Sequence, residues 1–306
     1  MADRLTGSDI RPVEGIAVID KEAGWTSHDV VAKARGVLGT RKVGHSGTLD
    51  PDATGVLVLG VGRATRLLRF LTTLSKEYVG QVVLGVETDT LDASGQVTAS
   101  YDMSHVSSVD VVEAAKGLTG EIFQIPPMVS AIKVGGRRLH EIAREGREIE
   151  RKARPVSVHR FDIAPAAEAG IYDVFVTCSS GTYVRTLAAD LGVALGGGAH
   201  LRNLRRTAVG SFALSDAHPL EAPRLLPVAE ALRDFPSLLV GEALAQDISF
   251  GRPLDVETVG VELESKGAGP WPVFDLDGRL LAVYQPHDDR EGWIKPVMVL
   301  APVSGA

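Results

Sequence analysis

The chain has 306 residues, 44% of them apolar, one cysteine and a net charge of −7. The length suits about two domains of ordinary size, the lone Cys178 rules out an intrachain disulfide framework or a cysteine metal cluster, and no apolar run approaches the roughly 20 residues of a membrane span. The charge is uneven: residues 216–306 carry 15 Asp+Glu against 7 Lys+Arg, whereas residues 133–160 carry 9 Lys+Arg against 4 Glu.

Met1–Pro12 shows no apolar stretch of a signal peptide, so a soluble cytoplasmic protein is expected. Gly15–Asp20 reads as a short strand. Ser27 then reads as an N-cap, followed by a helix with Val30, Val31, Ala34 and Val37 at helical spacing. A loop rich in Gly, Ser and Pro runs to Gly55, and Val56–Val61 is an apolar strand. A helix is expected over Arg63–Leu74, a strand over Lys76–Val86 and a further helix over Val109–Leu118.

Residues 124–155 are irregular, with Pro126-Pro127, Gly135-Gly136 and a short charged helix near Leu139–Glu145. Long excursions from a compact domain are often lids or binding loops. Strands follow at Val156–Ile163 and Ile171–Ser179, a helix from Thr182 to about Leu195, and a last strand at His200–Phe212. A boundary falls near Phe235-Pro236. Beyond it Asp277-Gly278, between apolar runs, signals a hairpin. The mixture is too irregular for a doubly wound parallel fold. It predicts an α+β protein: a mainly antiparallel mixed sheet flanked by helices in 1–235, with 124–155 as an excursion, and a small β-rich domain in 236–306.

The densest chemical signal is the loop Gly44-His-Ser-Gly-Thr-Leu-Asp-Pro-Asp-Ala-Thr-Gly55. On composition alone it reads as a surface turn opened by Asp50-Pro51 and capped by Asp52. Asp50 and Asp52 also allow a paired-carboxylate hydrolase. A second signal is Cys178-Ser-Ser-Gly-Thr-Tyr-Val-Arg185, where Arg185 falls in a first helical turn. A cation is disfavoured there by the helix dipole unless a carboxylate or phosphate partners it. His45, His140 and His159 lack metal-ligand spacing, and no phosphate-cradling GxxxxGKS/T loop is present.

These segments, with Gly15-Ile-Ala-Val-Ile-Asp-Lys21, Lys76-Glu-Tyr78, Thr88-Asp-Thr-Leu-Asp-Ala-Ser-Gly95, Gln124-Ile-Pro-Pro-Met-Val-Ser-Ala131 and Gly198-Ala-His-Leu201, resemble in order and content the TruB-type tRNA pseudouridine synthases across most of 14–212. The resemblance implies a pseudouridine synthase-like catalytic domain. It implies isomerisation of the T-loop uridine at position 55 of tRNA, without metal or cofactor. Asp50 would be the nucleophile, and the sequence leaves open whether it attacks sugar or base. A carboxylate of ordinary pKa, about 3.9, is ionised at neutral pH and needs no activating base. Arg185 would keep that carboxylate charged, Tyr78 would stack on the target base, and His45 would fill the space left by the flipped nucleotide. Tyr183 and Leu204 would complete the base pocket, and Lys21 would be a basic neighbour.

Residues 124–155 correspond to an RNA-gripping thumb, with Lys133, Arg137, Arg138, Arg144, Arg147, Arg151, Lys152 and Arg154 suited to phosphates. The Gly135-Gly136 pair suggests that it moves. The tail is expected to be PUA-like, although its acidity argues against a large part in gripping RNA. The expected partner is the tRNA T-arm stem-loop, with no obligate protein partner and a monomeric enzyme. The alternatives are a non-catalytic RNA-binding scaffold and the Asp50/Asp52 hydrolase.

Overall fold

The computed structural model describes residues 13–259 and 269–300, apart from 131, 132, 135, 140, 141, 143, 144 and 148. The chain forms β1 (Gly15–Lys21), α1 (Ser27–Val37), β2 (Val43–His45), β3 (Thr54–Val61), a 3-10 turn (Gly62–Arg66), α2 (Leu68–Thr73) and β4 (Lys76–Leu84). A small hairpin, β5 (Val86–Thr88) with β6 (Val97–Ser100), precedes α3 (Ser108–Gly117) and β7 (Gly120–Gln124). Next come the pair β8 (Lys133–Val134) and β9 (Arg137–Arg138), then β10 (Arg154–Pro165), β11 (Ile171–Cys178), α4 (Val184–Ala194), β12 (Ala199–Val209), β13 (Phe212–Ala213) and β14 (Leu225–Leu226). The remainder holds β15 (Leu238–Val240), α5 (Glu242–Ser249), β16 (Leu254–Asp255), β17 (Trp271–Asp275), β18 (Leu280–Pro286) and β19 (Trp293–Val299).

A ten-stranded sheet carries the first part in the order β14-β1-β3-β12-β4-β11-β10-β7, with β2 on β3 and β13 on β12. Its pairings are antiparallel except β12 with β3. The second sheet runs β15-β17-β18-β19-β16. This is the expected α+β architecture, and none of the described helices is long and apolar enough to cross a membrane.

β1 and β3 are apolar at successive positions because both of their faces are buried. Ile16, Val18, Val56 and Val58 point into a cluster with Leu67, Leu71 and Phe212. Ala17, Ile19, Leu57 and Leu59 point the other way, onto Val30, Val31 and Ala34 of α1. Strands covered on both sides lose the polar–apolar alternation of a one-sided sheet. Further along, α3 and α4 cover one sheet face with Val111, Ala115, Leu187 and Leu191. Val283 and Met298 of the second sheet enter the same cluster as Ile16 and Val18, so the acidic tail completes a core of the first sheet.

Several boundaries differ from expectation. Thr26, not Ser27, caps α1: its hydroxyl accepts from Asp29 N–H at 3.1 Å and the Asp29 carboxylate accepts from Thr26 N–H at 3.0 Å, a reciprocal box. The expected helix over 63–74 is split into the 3-10 turn and α2. The expected 200–212 strand ends at Val209 and turns into β13. The Asp277-Gly278 hairpin is present. Gly278 takes φ 78°, and the Asp275 carboxylate accepts from Asp277 and Arg279 N–H. Of the expected helix over 139–145, positions 140, 141, 143 and 144 lie outside the described residues, as does Gly135, on which the expected mobility partly rests. Leu139 and Ile142 are buried.

The one parallel strand pairing of the first sheet places β12 beside the start of β3, with Arg206 opposite Gly55. Gly55 has φ +100°, and a Cβ there would stand 2.1 Å from the Arg206 carbonyl oxygen. Gly39, at φ +64°, has open space around it. Gly55→Ala should therefore lower the unfolding free energy by about 2–4 kcal/mol, since both strain and a backbone clash apply. Gly39→Ala should cost about 1 kcal/mol. Denaturant unfolding of both variants checks the order, and equal losses would contradict it.

Candidate active site

The loop between β2 and β3 carries Asp50, and many contacts hold it. Ser27, freed from capping, turns inward: its buried hydroxyl accepts from Leu49 N–H at 2.9 Å and donates to Leu49 C=O at 3.2 Å. Lys21, at the end of β1, is 1% exposed and donates to the Pro51 carbonyl at 2.9 Å. Gly24 N–H reaches the same oxygen at 2.9 Å, and Ala53 N–H closes the turn onto Asp50 C=O at 3.1 Å. Asp52 is exposed.

Arg206 holds the loop from below. It is 1% exposed, and its guanidinium donates to Val56 C=O at 2.7 Å, Gly47 C=O at 3.1 Å and Thr48 C=O at 3.4 Å. Three carbonyls of the loop and of β3 are thereby satisfied from one side chain.

Arg185 reaches Asp50 from the first turn of α4. Its Nε lies 3.0 Å from Asp50 Oδ2, and its Nη1 lies 3.4 Å from Asp92 Oδ2. The remaining directions of the fork go to Thr90 C=O at 2.8 Å and Val129 C=O at 2.9 Å. The cation at a poor helix position thus has two carboxylate partners. Asp92 is itself fixed, its other oxygen accepting from the Thr90 hydroxyl at 2.7 Å and from Ser94 N–H at 3.1 Å. Arg185 is 5% exposed and Asp50 41%, so the carboxylate faces open space while its partner does not.

That open space is a cleft of about 260 Å³ lined by Asp50, Lys76, Tyr78, Tyr183, Arg185, Leu204 and Arg206, among others. A second cleft, of about 350 Å³, shares Asp50, Arg185 and Leu204 with it. Tyr78 stands on β4 directly opposite Arg206 of β12. Leu204 enters where β12 breaks register between Arg202 and Arg205, next to Asn203 at φ 54°. Tyr183 is held through its backbone by Gln124, whose side chain accepts from Tyr183 N–H at 3.0 Å. The structure therefore gathers Asp50, Tyr78, Tyr183, Arg185 and Leu204 around one opening. His45 and Lys21 are not in its wall. His45 stands at the loop's entrance, accepting from Gly47 N–H at 3.2 Å, with its ring edge-on to His28 at 5.5 Å.

Burial pushes the Asp50 carboxyl above the ordinary range. Asp92 and Asp52 add to the rise, and Arg185 and Lys21 oppose it. The Arg185 guanidinium at 3.0 Å acts in the expected direction, favouring the charged carboxylate, and opposes the rise from partial burial. A carboxylate less stabilised by water is a better nucleophile once ionised. His45 falls to about 4 through burial, His28 and Arg206, so its ring is neutral at neutral pH. Burial also lowers Lys21 to about 8 against the pull of Asp50 and Asp52.

Sequence reasoning missed three residues here. Asp92 lay in view within Thr88–Gly95, but its partnership with Arg185 spans 93 positions of chain. Lys76, 6% exposed, was noted only as part of the Lys76-Glu-Tyr78 segment. Arg206 reads as one more charge in an arginine-rich strand, and no local pattern marks it as buried.

Comparison with known proteins matches this arrangement to a family. The TruB family pseudouridylate synthase (N terminal domain) profile covers residues 35–184, and the tRNA pseudouridylate synthase B C-terminal domain covers 185–231. The chain is 45% identical to the tRNA pseudouridine synthase B of Arthrobacter sp. (strain FB24), covering 95% of this chain and 97% of that one. It is 47% identical to that of Rhodococcus jostii (strain RHA1), covering 95% of each. The fold is also that of a solved Cbf5-Nop10-Gar1 complex, with TM-score 0.73, 24% identity, and coverage of 94% of this chain and 85% of that chain. With both profiles lying over the site and identity this high along nearly its whole length, the chain belongs to the TruB family of pseudouridylate synthases.

Proposed function

We propose that this enzyme isomerises the T-loop uridine at position 55 of tRNA to pseudouridine, with Asp50 as the nucleophile on a flipped-out nucleotide. The observation that carries the reading is the 3.0 Å contact of Arg185 with Asp50 at the mouth of a cleft that also holds Tyr78. The relatives' name, tRNA pseudouridine synthase B, supports the substrate.

The reaction runs on positioning and charge. The target nucleotide leaves its stack, which costs a few kcal/mol, and its base enters the cleft against Tyr78. Stacking on an aromatic ring returns roughly 1–3 kcal/mol per base. Neutral His45, at the entrance of the loop, is suited to occupy the space left in the RNA. Asp50 adds to the nucleoside, the C1′–N1 bond breaks, and the ring turns within the cleft. C5 then bonds to C1′, the bond to Asp50 breaks and returns its pair to the carboxylate, the C5 proton departs and N1 gains one, so that the product is an isomer of the substrate. Arg185, tied to two carbonyls and Asp92, holds Asp50 aimed throughout, the kind of preorganisation that dominates enzymatic rate enhancement. The buried Cys178 thiol, raised to about 11 by its surroundings, is inert and suits a reducing cytoplasm.

RNA binding rests on the 124–155 segment, together with shape and phosphate contacts. Some of its cations are spoken for. Arg137 and Arg147 pair with Glu145, and Arg151 donates to Pro126 C=O at 3.0 Å. Lys152 and Arg154 are exposed. The tail adds core packing to the catalytic sheet and tunes binding as a PUA-like domain; the enzyme acts as a monomer.

Two measurements test this reading. In single-turnover assays at saturating tRNA, Asp50→Asn should abolish pseudouridine formation while binding and folding persist. Asp52→Asn, on an exposed side chain, should stay within a few-fold of wild type. A carboxylate-pair hydrolase predicts comparable loss for both, and an active Asp50→Asn enzyme would sink the assignment. For binding, Lys152 and Arg154 changed to Gln should each reduce the slope of log K against log salt by roughly 0.7–0.9. An unchanged slope would place the RNA elsewhere.

A further inference from the structure

Two cations at the floor of the cleft have no place in the steps above. Lys76 is 6% exposed, and its ammonium donates to the Thr72 and Leu74 carbonyls, each at 2.5 Å. Arg206 is 1% exposed and donates to the three carbonyls already named. Both line the same cleft as Asp50 and Tyr78, and they sit close enough to repel one another. Among the described residues, neither forms an ion pair with a carboxylate: Lys76 donates to main-chain oxygens, and Arg206 to main-chain oxygens and the Tyr78 hydroxyl. Buried charges are normally paired with opposite charge. Two like charges stored together under an open cleft fit an anion that arrives from outside.

We propose that Lys76 and Arg206 form an electrostatic floor that stabilises the negative charge on the uracil ring while it is detached from the ribose. The inference rests on the reading of the site given above, and it holds for either point of attack. If Asp50 attacks C1′, the C1′–N1 electron pair leaves with the ring, and the anion spreads over N1, O2 and O4. If Asp50 attacks C6, the C5=C6 pair moves through to O4 as an enolate, and the C1′–N1 bond then breaks with its pair staying on the ring, so the charge again lies on the detached ring. In both cases the ring charge is gone once C5 has bonded C1′, the bond to Asp50 has broken with its pair returning to the carboxylate, the C5 proton has left and N1 is protonated. Only a charge present in the transition state and intermediate benefits, so the effect falls on rate rather than on binding.

Tyr78 joins this arrangement, since Arg206 also donates to its hydroxyl. Arg206 is fully committed to the loop as well, so its removal would disturb Asp50. The hydrogen bonds of Lys76 go to Thr72 and Leu74 rather than to the catalytic loop, so it is the cleaner probe. Burial and Arg206 lower its pKa to about 8, which leaves most of the population protonated at pH 7. An ammonium has three donors, and two are used, leaving one for the ring.

The test compares Lys76→Met and Lys76→Gln with wild type on T-arm RNA carrying either uridine or 5-fluorouridine at the target. The fluorine withdraws electrons and stabilises the ring anion without help from the protein. Loss of the starting nucleoside in single turnover, read by mass spectrometry after digestion, reports ring detachment for both substrates. With uridine, both variants should slow by about 10²-fold or more, the usual loss for one donor to a developing anion, with RNA affinity within about twofold. With 5-fluorouridine the loss should shrink by at least tenfold. Gln can still donate to the carbonyls of Thr72 and Leu74, so it separates lost charge from lost capping. Equal losses on the two substrates, or a Gln variant as fast as wild type, would overturn the proposal. A wild-type enzyme that fails to form pseudouridine in T-arm RNA would overturn the reading of the site, and this inference with it.

Discussion

The site depends on one guanidinium. Arg185 is almost wholly buried, yet it faces two carboxylates and two carbonyls that come from distant parts of the chain. Asp50 comes from the β2–β3 loop, Asp92 and Thr90 from the β5–β6 hairpin, and Val129 from the root of the thumb segment. A planar fork with five donors in fixed directions can join four such acceptors. A lysine is a compact point charge on a flexible stem and cannot. The same contacts therefore tie Asp50 to the 90–92 turn and to Val129 at the start of the irregular 124–155 segment.

Around this pair the protein keeps an unusual electrostatic balance. Asp50 is pushed up by burial, Lys21 and Lys76 are pushed down to about 8 by burial, and His45 falls to about 4. Each group is held nearer its neutral form than water would hold it. A site so poised is costly for the fold, and burial of titratable groups in a cleft is a common sign of chemistry. The apolar core closing beneath it, from β1 and β3 to Val283 and Met298 of the tail, supplies the rigidity that such a site needs.

Much of the fold was legible from local pattern. The doubly buried strands β1 and β3 showed as apolar runs, α3 as a periodic helix, and the tail hairpin through Asp277-Gly278. What was missed depended on contacts far apart in sequence. Ser27 looked like a cap because Ser is a good one, but Thr26 has Asp29 at the right spacing, and Ser27 is needed by Leu49. The helix expected over 63–74 is divided into a 3-10 turn over Gly62–Arg66 and α2 from Leu68, with Leu67 and Leu71 both buried. At the site, Asp50 and Arg185 were visible through resemblance and an unfavourable dipole position. Asp92, Lys76 and Arg206 were not, because burial of a charge and its choice of partner are decided by the sheet order. β12 lies between β3 and β4 through one short parallel pairing, and only that arrangement puts Arg206 under both the loop and Tyr78.

The central claim is that the geometry of the Arg185 fork, and not merely its charge, makes Asp50 reactive. Arg185→Lys tests it directly, since the charge is kept and the four-way contact is lost. Single-turnover pseudouridine formation at saturating T-arm RNA should fall at least about 10²-fold, the scale expected when reacting groups shift by about an ångström, with affinity little changed. A rate within a few-fold of wild type would show that charge alone suffices, and would contradict the account.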